Sequence, residues 1–117
     1  MSPAWAIAAT VATIALGVLV GAMYLQRARR HRWTKLHLYV ALSAVALVTA
    51  VLATGTSRGG GPPSVLPLLM LAAAVAIGYA APRIPGIRRR GVDAALAVHI
   101  VVGIAGFFVL LAWAKTL

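Results

Sequence analysis

The chain has 117 residues, of which 62% are hydrophobic and only 10% are charged, and Asp93 is its single acidic residue. A water-soluble domain of this length needs far more charge to cover its surface, so the composition excludes that class. The absence of cysteine excludes disulfides, iron–sulfur clusters, thiolate-bound metals and covalent haem attachment through Cys-x-x-Cys-His.

Four apolar segments follow one another along the chain, and each is predicted to be a membrane-spanning helix. They are Ala4–Leu25, Leu36–Thr54, Ser64–Ala81 and Val92–Ala114. About 20 residues, at a rise of about 1.5 Å each, cross a hydrocarbon core of roughly 30 Å. Because the connections are short, consecutive helices are expected to be antiparallel neighbours. We predict an all-α fold, a single four-helix up-down bundle over residues 1–117.

The first segment carries a face of small and polar residues. Gly17–Gly21 has the small-x-x-x-small spacing that allows close helix contact, and Thr10, Thr13 and Tyr24 share that face. We expect this face to pack against another helix or a partner chain, with Tyr24 as an interfacial anchor. The segment has no basic residues before its apolar run, so we interpret it as a first helix and not as a cleaved signal peptide.

Turn-forming residues separate the later segments. Gly55–Pro63 predicts a helix break and an outer loop. Pro67 falls in the first turn of the third helix, where its missing N–H costs little. Pro82 and Pro85 are expected to end that helix. Asp93 is placed to favour the start of the fourth helix by capping it or by interacting with its dipole.

Basic residues concentrate in two of the three connections. Only Arg58 and Lys115 lie elsewhere; the others are Arg27, Arg29, Arg30, Arg32, Lys35, Arg83, Arg88, Arg89 and Arg90. This positive-inside bias predicts an integral protein of a prokaryotic cytoplasmic membrane, with both termini outside. The net charge of +10 does not indicate nucleic acid as a partner, because no soluble domain is present to bind it.

His37 and His99 lie inside the second and fourth segments, which both enter the bilayer from the basic side. An imidazole is costly in hydrocarbon unless it binds a metal or a hydrogen-bond partner. The second helix is expected to begin near Arg32, which reduces the difference in depth between the histidines. Helices two and four run parallel and can lie diagonally opposite. Haem iron is the obvious shared ligand, whereas His31, among arginines, is expected to be solvated.

The surroundings of the two histidines are also compatible with haem. A flat macrocycle needs small neighbours and, for its propionates, nearby cations such as Arg32, Lys35 and Arg88–Arg90. Small residues equally allow close helix packing in any membrane bundle. The residues that share a helix face with a histidine are Ala95, Gly103 and Gly106 for His99, and Trp33, Ala41 and Ala44 for His37.

Two short motifs resemble those of transmembrane b-type cytochromes, particularly the cytochrome b561-like families. Arg32–Leu38 (RWTKLHL) is similar to the basic-then-Leu-His start of their haem helix, and Ala97–Gly103 (AVHIVVG) is similar to the His-x-x-x-Gly of the partner helix. The resemblance implies that His37 and His99 are the axial ligands of one low-spin haem b. Larger family members carry a second histidine pair, which the first and third segments here lack.

One haem near the cytoplasmic side does not complete an electron route across the membrane. The resemblance therefore implies exchange with a quinone, a partner redox subunit or a second copy of the chain. We expect an electron carrier or anchor subunit and not a self-contained enzyme. The alternatives are a non-catalytic accessory or assembly subunit, in which the histidines have no special role, and a small transporter. A cation exporter is disfavoured because Asp93 lies at a helix entrance and no carboxylate lies within a segment.

Overall fold

A computed structural model describes residues 3–29, 31–54 and 65–115 of the chain. Its four helices are α1 (Pro3–Leu25), α2 (His31–Thr54), α3 (Leu66–Ala80) and α4 (Arg89–Ala114), and the described residues include no strand. A single 3-10 turn, Ala81–Arg83, extends α3. With that turn included, all four helices are long and apolar enough to span a membrane. The predicted all-α four-helix bundle is confirmed.

Two helices begin earlier than their apolar segments. Helix α2 starts at His31 and not at Leu36, and α4 starts at Arg89 and not at Val92. Arginine and lysine are good helix formers, so a helix can continue into the basic flank after its apolar run has ended. The early start of α2 agrees with the expectation that this helix begins near Arg32. The predicted outer loop, Gly55–Pro63, lies outside the described residues.

The structure corrects the role predicted for Asp93. The N-cap of α4 is Arg88, no side chain caps this helix, and its first turn contains no acidic residue. Asp93 lies beyond that turn and accepts a hydrogen bond of 2.5 Å from the hydroxyl of Tyr24 in α1. The half-buried side chain of Tyr24 therefore connects α1 with α4 through this hydrogen bond. Pro67 does occupy the start of α3, as predicted, and is buried there.

The bundle consists of two helical hairpins. Contacts are far more extensive within the α1–α2 pair and within the α3–α4 pair than across the α2–α3 and α1–α4 seams. In the described chain, the remaining pairs, α1–α3 and α2–α4, share no comparable contact, so each of these pairs is diagonal. Helices α2 and α4 are therefore parallel and diagonally opposite, as expected from the connectivity.

The best-packed core lies in the half of the bundle remote from the basic connections. Its members come from the first turns of α1 and α3 and from the last turns of α2 and α4; they are Ala6, Val48, Val51, Leu71, Leu110 and Trp113. Since antiparallel helices place these ends together, the core forms one contiguous cluster. The basic half is lined mainly by small residues and by the two histidines.

Candidate histidine site between the helices

The imidazole rings of His37 and His99 meet inside the bundle. Their ring centroids are 6.2 Å apart and their planes are nearly perpendicular, at 89°. The two residues belong to the diagonal helices α2 and α4, which do not otherwise pack against each other. A gap between diagonal helices is therefore closed at this level by two imidazoles.

The orientation of the His99 ring is set by a backbone carbonyl. Nδ1 of His99 lies 2.6 Å from the carbonyl oxygen of Ala74 in α3. A carbonyl oxygen only accepts hydrogen bonds, so Nδ1 carries the proton and Nε2 is left with a free lone pair in the neutral ring. A histidine held in this way is prepared to bind a metal through Nε2.

The His37 ring interacts with the backbone of Thr13 in α1, and one of its two nitrogens has no partner among the described residues. Its Nδ1 is buried and forms no hydrogen bond with any part of the chain that the structure describes. The ring lies beside the backbone of Thr13 and against Gly17 in α1. A buried polar atom without a partner is rare in native proteins and costs free energy. His37 thus carries an unused ligating nitrogen in an apolar setting.

Two glycines make room for the imidazoles. A Cβ atom at Gly17 would lie 3.0 Å from Cε1 of His37, and one at Gly78 would lie 2.7 Å from Cε1 of His99. The sequence predicted that the Gly17 face packs, and its neighbour is the α2 histidine of the same hairpin. The contact of Gly78 with His99 was not predicted from the sequence. The signal that could have indicated it is a glycine within an apolar helix, at a membrane depth similar to that of His99.

A second glycine of α1 lies one turn from Gly17. Gly21 follows Gly17 by one turn on the same face, and a Cβ atom there would meet no atom within 4 Å among the described residues. Helix α2 contributes two small buried residues, Ala41 and Ala44, to the interior beyond His37. The helices α1 and α2 therefore present small residues on either side of His37.

The other predicted site residues are placed differently. Gly103 faces α3, since its Cβ position is 3.8 Å from Cβ of Ala74. Arg32 and Lys35 are exposed at the start of α2. Both lie well over 100° around the helix from His37, at about 100° per residue, so the structure does not bring them beside the imidazoles.

A second polar group, which sequence reasoning missed, lies towards the basic end at the α1–α4 seam. Asp93 accepts the Tyr24 hydroxyl, and the guanidinium of Arg89 lies 5.0 Å from the centre of the Tyr24 ring. This arrangement gives the single acidic side chain of the chain a hydrogen-bond donor. It also joins the two hairpins at their basic ends.

The separation of the two ring centroids can be compared with that expected of two imidazoles that share a metal ion. Two metal–nitrogen bonds of about 2 Å place the centres of opposed imidazole rings roughly 6 Å apart, close to the observed separation. Among the described residues no group of three or more metal-ligating side chains occurs, so a metal cage built entirely from protein ligands is not indicated. No protein-family model, curated protein or solved structure matches this chain.

Proposed function

We propose that this chain is a membrane cytochrome subunit that binds one haem b between His37 and His99. The observation that carries the proposal is the meeting of two imidazoles from diagonal helices, with centroids 6.2 Å apart, in an otherwise apolar bundle. Intramembrane histidines are costly, and a shared metal gives both rings a partner.

The hydrogen-bonding state of each ring supports the proposal that His37 and His99 would hold a haem iron. The Ala74 carbonyl fixes the His99 tautomer and keeps Nε2 available. His37 retains a buried ring nitrogen without a partner among the described residues. Gly17 and Gly78 let both rings lie within the bundle.

A haem with two histidine ligands has no open iron position, so it supplies one-electron transfer and not oxygen binding. The protein's part is to hold both imidazoles, exclude water with apolar helices and set the surrounding polarity. Because the pair is single, we propose exchange with a quinone, a partner redox subunit or another copy of the chain. By the positive-inside rule the basic end faces the cytoplasm of a prokaryote, and both termini face outwards.

The test is a visible absorption spectrum of detergent-purified protein, first oxidised and then reduced with dithionite. We expect sharp α and β bands on reduction together with a shifted Soret band. His37→Ala and His99→Ala should each abolish the six-coordinate low-spin spectrum.

The matched control is His31→Ala, which removes an exposed imidazole at the start of α2 and should leave the spectrum unchanged. A protein that stays colourless after haem titration would refute haem binding. The remaining hypothesis would then be a non-catalytic accessory or assembly subunit. A native spectrum in His99→Ala would refute the ligand assignment.

A further inference from the structure

An apolar groove runs along the α2–α3 seam on the outside of the bundle. It has a volume of about 380 Å³, and its walls include Leu38 and Leu42 of α2 and Ala72, Ala76 and Tyr79 of α3. The helices touch only sparsely along this seam, and alanines on α3 leave the depression. The groove therefore lies where a lipid acyl chain meets the protein.

A second groove lies at the basic end of the same seam. It has a volume of about 490 Å³ and is lined by Arg29, His31, Thr34 and Arg83, among others. Two guanidinium groups, an imidazole and a hydroxyl thus surround one depression. In the described chain the single carboxylate, Asp93, is bonded to Tyr24 at the opposite α1–α4 seam, so no acidic side chain lines this groove.

Tyr79 and Arg83 connect the two grooves. Tyr79 lines the apolar groove, while Arg83 lines the basic one. Arg83 donates a hydrogen bond of 2.6 Å to the Tyr79 carbonyl oxygen, and its guanidinium lies 4.0 Å from the centre of the Tyr79 ring. On α2, Thr34, Leu38 and Leu42 follow at intervals of one turn, so a single helix face passes from one groove to the other.

We propose that this continuous surface binds one anionic phospholipid. Its phosphate lies among Arg29, His31, Thr34 and Arg83, and one acyl chain lies in the apolar groove. Arginine pairs well with phosphate oxygens, and Arg83 is already held in place by its contacts with Tyr79. The proposal is independent of haem, because the groove lies on the outer face of the seam and none of its lining residues is a proposed haem ligand.

Native mass spectrometry of the detergent-purified full chain tests the proposal. The protein is titrated with phosphatidylglycerol and with phosphatidylcholine of identical acyl chains. We expect one tightly retained phosphatidylglycerol. The double variant Arg29→Gln/Arg83→Gln should bind it roughly thirtyfold more weakly, since each arginine near an anionic headgroup contributes a factor of about five.

The matched control is Arg88→Gln/Arg90→Gln, which removes the same charge from exposed positions at the same end but outside the groove. Its affinity for phosphatidylglycerol should change by less than about threefold, because neither arginine lines the groove and more distant exposed charges are screened. Equal losses in both double variants would reduce the effect to diffuse electrostatics and overturn a defined site. Equal retention of phosphatidylcholine would also overturn it.

The acyl part of the site is tested by filling the groove. Ala76→Phe places a ring in the groove, whereas Ala73→Phe adds the same ring to an exposed α3 position that does not line it. We expect Ala76→Phe alone to weaken lipid retention. In a parallel titration, inorganic phosphate should compete poorly with the lipid. If phosphate displaced the lipid fully and Ala76→Phe had no effect, the groove would be a site for free phosphate. That result would overturn the lipid assignment.

Discussion

Glycines in α1 and α3 determine whether the two imidazoles can occupy the bundle interior. At Gly17 and Gly78 only a hydrogen atom lies against the histidine ring, whereas any other residue would place a Cβ atom there. Gly21 has the same residue type on the same α1 face as Gly17 but has empty space beside it. At Gly17 and Gly78 glycine is therefore needed because a histidine ring lies in contact. At Gly21 no described residue requires it.

Gly78→Ala is expected to destabilise the protein by about 1–3 kcal/mol, because its Cβ would overlap the His99 ring, which is held against the same stretch of α3 by its hydrogen bond to the Ala74 carbonyl. The measurement is the free energy of unfolding in mixed detergent and sodium dodecyl sulfate micelles. In the control, Gly21→Ala should be neutral or stabilise by up to about 1 kcal/mol through helix propensity. Equal effects of the two substitutions would show that the His99 ring does not lie against Gly78.

At the residue scale, the sequence identified the two histidines that lie together in the bundle but not the groups that contact them. His37 and His99 could be identified because an imidazole inside an apolar run is costly wherever the helices lie. The Ala74 carbonyl could not be identified, since every backbone has carbonyls and only the register of α3 against α4 selects this one. The role predicted for Asp93 was wrong because α4 begins at Arg89. Asp93 consequently lies beyond the first turn, where it accepts a hydrogen bond from Tyr24.

Helix pairs differ in how closely they approach. Helices α3 and α4 make the most extensive contact in the bundle, and buried Gly106 of α4 lies at that interface. A Cβ atom at Gly106 would lie 3.2 Å from Cβ of Met70 and 3.2 Å from Cδ2 of Leu71. Small residues at such positions let backbones approach, which is a main source of helix association in lipid.

Gly106→Val should force α3 and α4 apart and destabilise the protein by about 1–3 kcal/mol. The same unfolding measurement checks this expectation. Ala97→Val provides the control on α4, because Ala97 is exposed and a larger side chain there meets lipid or detergent. A Gly106→Val protein as stable as the Ala97→Val protein would contradict close packing at this interface.

Helix number and order were predictable from the sequence, whereas helix starts were not. The length of an apolar segment identifies a membrane-spanning helix. The ends of that segment indicate where the chain leaves the hydrocarbon core, but not where the helix ends. The basic first turns of α2 and α4 are helical although they lie outside the apolar runs. Short connections made the diagonal placement of α2 and α4 possible, and the contacts between helices show that it occurs.

For the whole molecule, the distribution of charge predicts one orientation in the membrane. The basic end carries the α1–α2 and α3–α4 connections, and the remote core lies at the other end. Since the chain contains no cysteine, single introduced cysteines can report the orientation without background labelling.

Thr54→Cys, at the remote end of α2, should react with a membrane-impermeant maleimide in intact cells. Gln26→Cys, just after α1 at the basic end, should react only after the cells are lysed. Both positions are exposed, so accessibility within the bundle does not limit either reaction. The reverse pattern would place the basic end outside and contradict the proposed topology.

The division into two hairpins has a consequence for the order of events during synthesis. His37 belongs to the first hairpin and His99 to the second, and only the seams between hairpins bring the rings together. A nascent chain emerges with its N-terminal part first, so His37 enters the bilayer before its counterpart has been translated. Any ligand that requires both imidazoles is therefore captured at the final stage of biogenesis, and its capture records that the two halves have joined.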